Sequence, residues 1–119
     1  MTRFREPFPI VYVEDVESAV DFYVSSFGFE VGFRWPAEGA LSFAFLKLEP
    51  LGIGIGSRHE HSVGDFELCI YTDDVDAAAA RLGAAGADEV MAPRDEPWGE
   101  RRAYFHGPDG TLLHVVAPL

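Results

Sequence analysis

A repeated string constrains the fold of this chain more than any other feature of its sequence. Residues 8–19 (FPIVYVEDVESA) align without gaps on residues 67–78 (ELCIYTDDVDAA), an offset of 59 positions, and four of the twelve aligned positions are identical. Similarity at a fixed spacing indicates repeated copies of one structural unit. We therefore predict one domain, residues 1–119, made of two modules at about 6–58 and 65–119.

Each module is predicted to start with a strand that leads into a helix. Asp15 and Asp74 stand at the strand–helix junctions, where a carboxylate accepts hydrogen bonds from the exposed N–H groups of the first helical turn. The first helix has an apolar stripe and a terminating glycine: Val16, Ala19, Val20, Tyr23, Phe27 and Gly28. Three strand-like stretches follow each helix, at 29–35, 41–48 and 51–57 and at 89–92, 102–106 and 111–117. The expected fold is α+β, with two tandem βαβββ modules.

Charge and cysteine content exclude several classes of function. The net charge of −11 disfavours binding to nucleic acid or to an anionic membrane and favours cationic or neutral partners. The single cysteine, Cys69, excludes an intramolecular disulfide and a cysteine-based zinc site, and we expect it to be a buried strand residue.

No apolar run approaches the ~20 residues of a membrane span, and the N-terminus does not resemble a secretory signal. We therefore expect a cytoplasmic protein.

Three local strings resemble the glyoxalase/bleomycin-resistance/dioxygenase superfamily, also called the vicinal oxygen chelate (VOC) superfamily. They are residues 13–23 (VEDVESAVDFY), residues 27–29 (FGF) and residues 107–111 (GPDGT), and the βαβββ order covers essentially the whole chain. The resemblance implies an open cupped sheet formed by both modules, with a ligand on the concave side. It also implies paired subunits, so we expect a homodimer.

The same resemblance implies four positions for metal ligands, on the first and last strands of the modules. In this sequence they are Phe8 and Gly54 in the first module and Glu67 and His114 in the second. Two candidate ligands make a weak site, since zinc chemistry normally requires at least three protein ligands. We therefore expect no cofactor, and a divalent metal is disfavoured. Glu67 and His114 then remain as an acid–base pair or as a satisfied buried pair.

The expected ligand site is aromatic. Residues 96–100 (EPWGE) resemble the Pro-Trp-Gly loop of the bleomycin-resistance branch, in which the indole offers a stacking surface. Glycines alternate along the last strand of the first module, which indicates a ligand cavity or, alternatively, tight strand packing at a subunit or module seam. His59 and His61 are assigned to a solvated linker. The predicted ligand-binding residues are Phe8, Phe33, Trp35, Gly52, Gly54, Glu67, Trp98 and His114.

Two functions are consistent with this pattern. The first is a small-molecule binding protein that sequesters an aromatic or cationic, antibiotic-like ligand without turnover, with a role in antibiotic resistance. The alternative is a metal-dependent lyase, isomerase or dioxygenase of the same superfamily, and a binding role in a biosynthetic pathway is a third possibility. The sequence contains no Gly-rich phosphate loop and no nucleophile elbow, which disfavours phosphoryl and acyl transfer.

Overall fold

A computed structural model describes residues 3–119, and over this range the chain forms eight strands and two helices. The first elements are β1 (Phe4–Tyr12), α1 (Val16–Phe27), β2 (Glu30–Trp35), β3 (Phe43–Leu48) and β4 (Leu51–Gly56). They are followed by β5 (Phe66–Thr72), α2 (Val75–Ala84), β6 (Asp88–Glu96), β7 (Glu100–His106), a single 3-10 turn (Pro108–Gly110) and β8 (Leu112–Pro118). The predicted α+β class is confirmed.

The chain divides into two compact units. The first unit is Phe8–Glu60, and the second is His61–Leu119 together with the start of β1. In the first unit the strand order is β2-β3-β4-β1, with β1 parallel to β4 and the other neighbours antiparallel. In the second unit the order is β5-β8-β7-β6, with β5 parallel to β8 and the other neighbours antiparallel. Both units therefore share one topology.

In each unit the helix covers one face of the sheet. Val16 and Val20 of α1 pack with Ala44, Leu46 and Ile55 of the sheet. In the second unit, α2 packs on the sheet in the same way through a cluster formed by Val75, Ala103, Phe105, Val115 and Ala117. Because side chains alternate along a strand, the intervening residues of each strand lie on the opposite face of the sheet. The candidate site residues that belong to strands are on that opposite face.

The predicted helix ends are confirmed. The Asp15 carboxylate accepts hydrogen bonds from the N–H and the hydroxyl of Ser18, at 3.1 and 2.9 Å, and Asp74 accepts one from the N–H of Ala77 at 3.0 Å. At the end of α1, Gly28 has φ of 81°, a left-handed conformation that glycine adopts without steric cost.

The prediction that the strand at residues 89–92 ends before Pro93 was wrong. Strand β6 continues through Pro93 to Glu96, and the turn before β7 contains only residues 97–99. The pairing of β6 with β7 is irregular between Met91 and Arg94. A proline is tolerated there because β6 is an edge strand and an irregular segment does not require its missing N–H group.

Within residues 3–119, neither helix is long and apolar enough to cross a membrane.

Candidate functional site

The first unit has an aromatic sheet face on the side opposite α1. The Phe8 and Phe45 rings meet edge to face with centroids 4.9 Å apart, and the Phe33 and Phe43 rings lie 6.3 Å apart. Strand pairing places Phe33 beside Phe45 and Trp35 beside Phe43. We call these five residues the aromatic face: Phe8, Phe33, Trp35, Phe43 and Phe45. Phe8 is buried, whereas Phe33 is 46% exposed and can contact a ligand directly.

Three glycines of β4 lie on the same face, and the protein's own side chains fill the space above two of them. A Cβ atom on Gly52 would lie 2.3 Å from Cζ of Phe45, and one on Gly54 would lie 2.8 Å from Cγ1 of Ile10 and 3.0 Å from Cε1 of Phe43. The space above Gly52 and Gly54 is therefore taken by side chains of the same unit, neither a cavity nor a seam between subunits or modules. The missing Cβ atoms let the Phe45 and Phe43 rings approach the backbone of β4 closely.

A shallow depression lies at the end of β1. Its volume is about 420 Å³, and its lining includes Tyr12, Glu14 and Arg58. The guanidinium carbon of Arg58 lies 5.3 Å from the centroid of the Tyr12 ring, and the His59 ring lies edge to face at 5.9 Å. His59 was expected in a solvated linker, but its ring packs on Tyr12. His61 likewise packs on the ring of Tyr104, at 5.7 Å.

The second unit has a buried acid–histidine pair at the equivalent place. Oε2 of Glu67 lies 2.9 Å from Nδ1 of His114, and their side chains are 3% and 9% exposed. This is an ion-pair distance when His114 is protonated, although the two groups are not aligned as a hydrogen bond. Within residues 3–119, the other ring nitrogen of His114, Nε2, is buried without a hydrogen-bond partner. The Tyr104 ring lies against the imidazole at 4.9 Å.

Arg102 connects this pair to a polar network that sequence reasoning missed. The Arg102 guanidinium donates through Nε to the Glu96 carboxylate at 2.6 Å, and its Nη2 atom also contacts that carboxylate. Its Nη1 atom donates to the Tyr104 hydroxyl at 2.7 Å. The Arg102 side chain is 16% exposed and that of Glu96 is 7% exposed. Because a buried charge is costly without a partner, each of these side chains depends on the other.

Trp98 is held by this network. The Trp98 indole N–H donates to Oε1 of Glu100 at 2.9 Å, and the Arg102 guanidinium lies 4.7 Å from the ring centroid. The second oxygen of Glu100 accepts from the Tyr71 hydroxyl at 2.9 Å. One face of the indole is thus occupied by Arg102, so a ligand can stack only on the remainder of the ring.

Burial and neighbouring carboxylates shift two pKa values in the second unit. Burial, together with Glu67 and Glu100, raises the pKa of the Cys69 thiol well above its usual value. Burial, followed by the charge and the hydrogen bond of Glu100, raises the pKa of the Tyr71 hydroxyl. Both groups are therefore neutral at physiological pH, and Cys69 is an inert buried thiol, as expected.

The residues present do not fit the divalent metal that the fold family implies. Glu67 and His114 face each other at 2.9 Å, and within residues 3–119 no three His, Cys, Asp or Glu side chains converge on one point. The equivalent positions of the first unit, Phe8 and Gly54, have no donor atom on their side chains. A catalytic zinc site requires about three protein ligands, so the donor set is insufficient.

The predicted site residues fall into two sets, one in each unit. Phe8, Phe33 and Trp35 share the aromatic face with Phe43 and Phe45, whereas Glu67, Trp98 and His114 belong to the polar network with Glu96, Glu100, Arg102 and Tyr104. Apart from Glu96, which ends β6, the missed residues alternate along β3 and β7. A search for alternating residues on those strands would have found them.

Comparisons with known proteins identify the family. The model of the glyoxalase/bleomycin resistance protein/dioxygenase superfamily matches residues 7–115. An uncharacterized protein of Mycobacterium tuberculosis is 33% identical over 93% of this chain and 73% of its own length, and one of Mycolicibacterium smegmatis is 31% identical over 92% of this chain and 90% of its own. A superfamily member from Vibrio splendidus has the same fold, with a TM-score of 0.72 at 21% identity over 97% of this chain and 99% of its own.

Proposed function

Because this chain belongs to the glyoxalase/bleomycin resistance protein/dioxygenase superfamily, we propose that it is a small-molecule binding protein that sequesters an aromatic or cationic ligand without turnover. The observation that supports this function most directly is the aromatic face of the first unit. Rings at the surface of a sheet stack with planar ligands, and each such contact contributes about 0.5–1.5 kcal/mol beyond simple burial. An antibiotic with a planar, positively charged portion fits this chemistry.

Charge and the donor set give further support. A net charge of −11 attracts cations and opposes anionic ligands. The polar network supplies carboxylates, of which Glu96 is already paired with Arg94 and Arg102. The insufficiency of metal donors favours binding over the metal-dependent reactions known for this superfamily. Cytoplasmic location and a homodimer belong to the same proposal, and light scattering of the purified protein tests the homodimer.

The binding experiment uses bleomycin and the protein's two tryptophans, which lie in different units. In the Trp98→Phe variant, bleomycin bound at the aromatic face should quench the emission of Trp35. Phe33→Ala should then weaken binding roughly tenfold, since it removes an exposed ring from the centre of the contact. Val63→Ala is the matched control, because Val63 is a 41% exposed apolar residue of the second unit.

Two results would contradict sequestration at this face. One is unchanged Trp35 emission and melting temperature with bleomycin and with a panel of planar cationic antibiotics. The other is recovery of a chemically altered ligand after incubation with the protein, detected by mass spectrometry.

A second candidate function is metal-independent proton transfer by Glu67 and His114. A carboxylate oxygen lies 2.9 Å from one nitrogen of an imidazole whose other nitrogen, Nε2, has no hydrogen-bond partner within the described residues. These are the two kinds of group that general-base catalysis by a histidine with a carboxylate partner uses. Its signature is ligand conversion that persists in the presence of a chelator and is lost in His114→Gln. Conversion that requires added metal, or that His114→Gln leaves intact, would rule it out.

A further inference from the structure

The aromatic face of the first unit ends at two residues of opposite charge. Side chains alternate along β3, so Lys47 lies on the same face as Phe43 and Phe45. Strand pairing places Glu30 of β2 directly beside Lys47, in the cross-strand row that follows Phe33 and Phe45. We call Glu30 and Lys47 the charged end of the aromatic face. Both side chains are exposed, and within residues 3–119 neither makes an ion pair or a side-chain hydrogen bond.

The Lys47 side chain lies along the sheet because β2 has a glycine beneath it. A Cβ atom on Gly32 would lie 3.1 Å from Cγ and 3.2 Å from Cδ and Cε of Lys47, so the lysine stem runs closely over this residue. The pairing of β2 with β3 is irregular between Val31 and Phe33, on either side of Gly32. The missing side chain at this irregularity therefore keeps the Lys47 stem on the surface of β2, next to the row of rings.

The second unit has a cross-strand pair of similar charge but no exposed ring beside it. There Asp88 of β6 pairs with His106 of β7. A neighbouring pair on these strands is Met91 and Tyr104, which are only 8% and 2% exposed. Phe33 of the first unit is 46% exposed. Of these two equivalent positions, only the one in the first unit joins charged groups to an aromatic surface that a ligand can reach.

The spacing of rings and charges suits one class of ligand. Residues two positions apart on a strand are about 7 Å apart, which is the distance along β3 from Phe45 to Lys47. Residues directly opposite on neighbouring strands have Cβ atoms about 5 Å apart, as Glu30 and Lys47 do. A ligand that uses both charges and an exposed ring therefore carries its ammonium and its carboxylate close together and a short distance from a planar ring. Aromatic amino acids have this arrangement, since one carbon next to the ring's methylene bears both groups.

Ligands with a single charge fit the charged end less well. A purely cationic group beside Glu30 would also lie beside the ammonium of Lys47, a like charge. A purely anionic ligand would be opposed by Glu30 and by the net charge of −11. A zwitterion has no net charge and satisfies both side chains, so the overall charge of the protein does not repel it.

We propose that the aromatic face binds an aromatic zwitterion, a planar ring with an ammonium and a carboxylate close to it, as in an aromatic amino acid or an antibiotic that ends in one. The ring stacks on Phe33, the ammonium pairs with Glu30 and the carboxylate pairs with Lys47. This inference rests on the proposed binding function and specifies the class of ligand for it.

Three indole compounds serve as probes, and their Kd values are measured by NMR titration of the isotope-labelled protein. They are L-tryptophan, tryptamine, which lacks the carboxylate, and indole-3-propionate, which lacks the ammonium. L-tryptophan should bind roughly fivefold more tightly than either analogue, because an exposed ion pair contributes only modestly to affinity.

Two variants assign each charge to its partner on the ligand. Lys47→Met keeps a long apolar stem over Gly32 but removes the ammonium, so it should abolish the preference for L-tryptophan over tryptamine. Glu30→Gln should abolish the preference for L-tryptophan over indole-3-propionate. Asp88→Asn/His106→Gln is the matched control, because it removes the equivalent charges of the second unit and should leave all three affinities unchanged. Circular dichroism checks that each variant is folded.

Phe33→Ala distinguishes failure of this inference from failure of the binding function. If it weakens binding of all three probes while Lys47→Met leaves the preference over tryptamine intact, the face binds aromatic ligands and the zwitterion proposal is wrong. Equal affinity of the wild type for L-tryptophan and tryptamine would also overturn the proposal, since the carboxylate would then contribute nothing. If Phe33→Ala changes no affinity, the aromatic face is not the binding surface and both proposals fail.

Discussion

The two units of this protein place different chemistry at equivalent sheet positions. In the first unit Ile10 pairs with Gly54, and in the second Cys69 pairs with His114. The neighbouring strand contributes Phe45 beside Gly54 and Tyr104 beside His114. One face is therefore an aromatic surface over glycine, whereas the other is a hydrogen-bonded network of charged side chains.

This difference shows that the topology does not dictate the chemistry of the site. An aromatic face is stabilised by close packing, which is sensitive to added volume. A buried polar network is stabilised when every group has a partner, and it is sensitive to the loss of one partner. We therefore expect a different kind of substitution to destabilise each unit: added volume in the first and loss of a polar partner in the second.

The largest expected effect is at Arg102 in the second unit. Arg102→Ala leaves the buried Glu96 carboxylate without its main partner and should lower the free energy of unfolding by about 3–5 kcal/mol. Arg94 pairs with the same carboxylate at 3.1 Å but is 53% exposed, so Arg94→Ala should cost below about 1 kcal/mol. Urea unfolding of both variants measures the difference, and equal losses would show that the network is not the stabilising element.

Added volume at the glycines of β4 tests the first unit. Gly52→Ala and Gly54→Ala should each lower the free energy of unfolding by about 1–3 kcal/mol, because the new Cβ would collide with Phe45 or with Ile10 and Phe43. The loss should be larger at Gly52, where the backbone oxygen of Leu46 is 2.9 Å from the new atom and cannot move aside.

Gly56→Ala is the control for this series. Its Cβ would lie 3.4 Å from the nearest atom, an ordinary contact, so stability should barely change. Thermal unfolding of the three variants provides the ranking. A loss at Gly56 as large as that at Gly52 would mean that backbone conformation, rather than ring packing, explains the glycines.

The smallest expected effect concerns the helix caps, where the units are most alike. Hydrogen bonds from the backbone N–H and the hydroxyl of Ser18 hold the pKa of Asp15 below its ordinary value of 3.8. A lowered pKa in the folded state stabilises the protein above about pH 4. This contribution is lost as the pH falls through the pKa of the folded state.

Asp15→Asn keeps an acceptor oxygen but removes the charge, so its deficit relative to the wild type should disappear in strong acid. Asp74→Asn is the matched variant of α2, and its deficit should be smaller because Ala77 has no hydroxyl to donate. Urea midpoints between pH 2 and pH 7 provide the comparison. A deficit for Asp15→Asn that is independent of pH would contradict a role for its charge.

Local sequence signals predicted where the helices begin and where α1 ends, but they predicted the ends of the strands less well. The caps at Asp15 and Asp74 and the helix end at Gly28 are local decisions, made by a side chain or a backbone conformation within one turn. The extension of β6 through Pro93 was not predictable in this way. It depends on β6 being an edge strand, which is a property of the sheet rather than of the residues.

The sequence by itself determined which residues of a strand share a face, because side chains alternate along a strand. It also identified candidates for function, among them Glu67, His114, Phe8, Phe33, Trp35 and Trp98. Tertiary structure alone decided what those residues contact. It placed phenylalanine rings over Gly52 and Gly54, and it placed Arg102 against Trp98 and Glu96. These contacts join residues of different strands, and strand register, which no local signal specifies, determines which side chains meet.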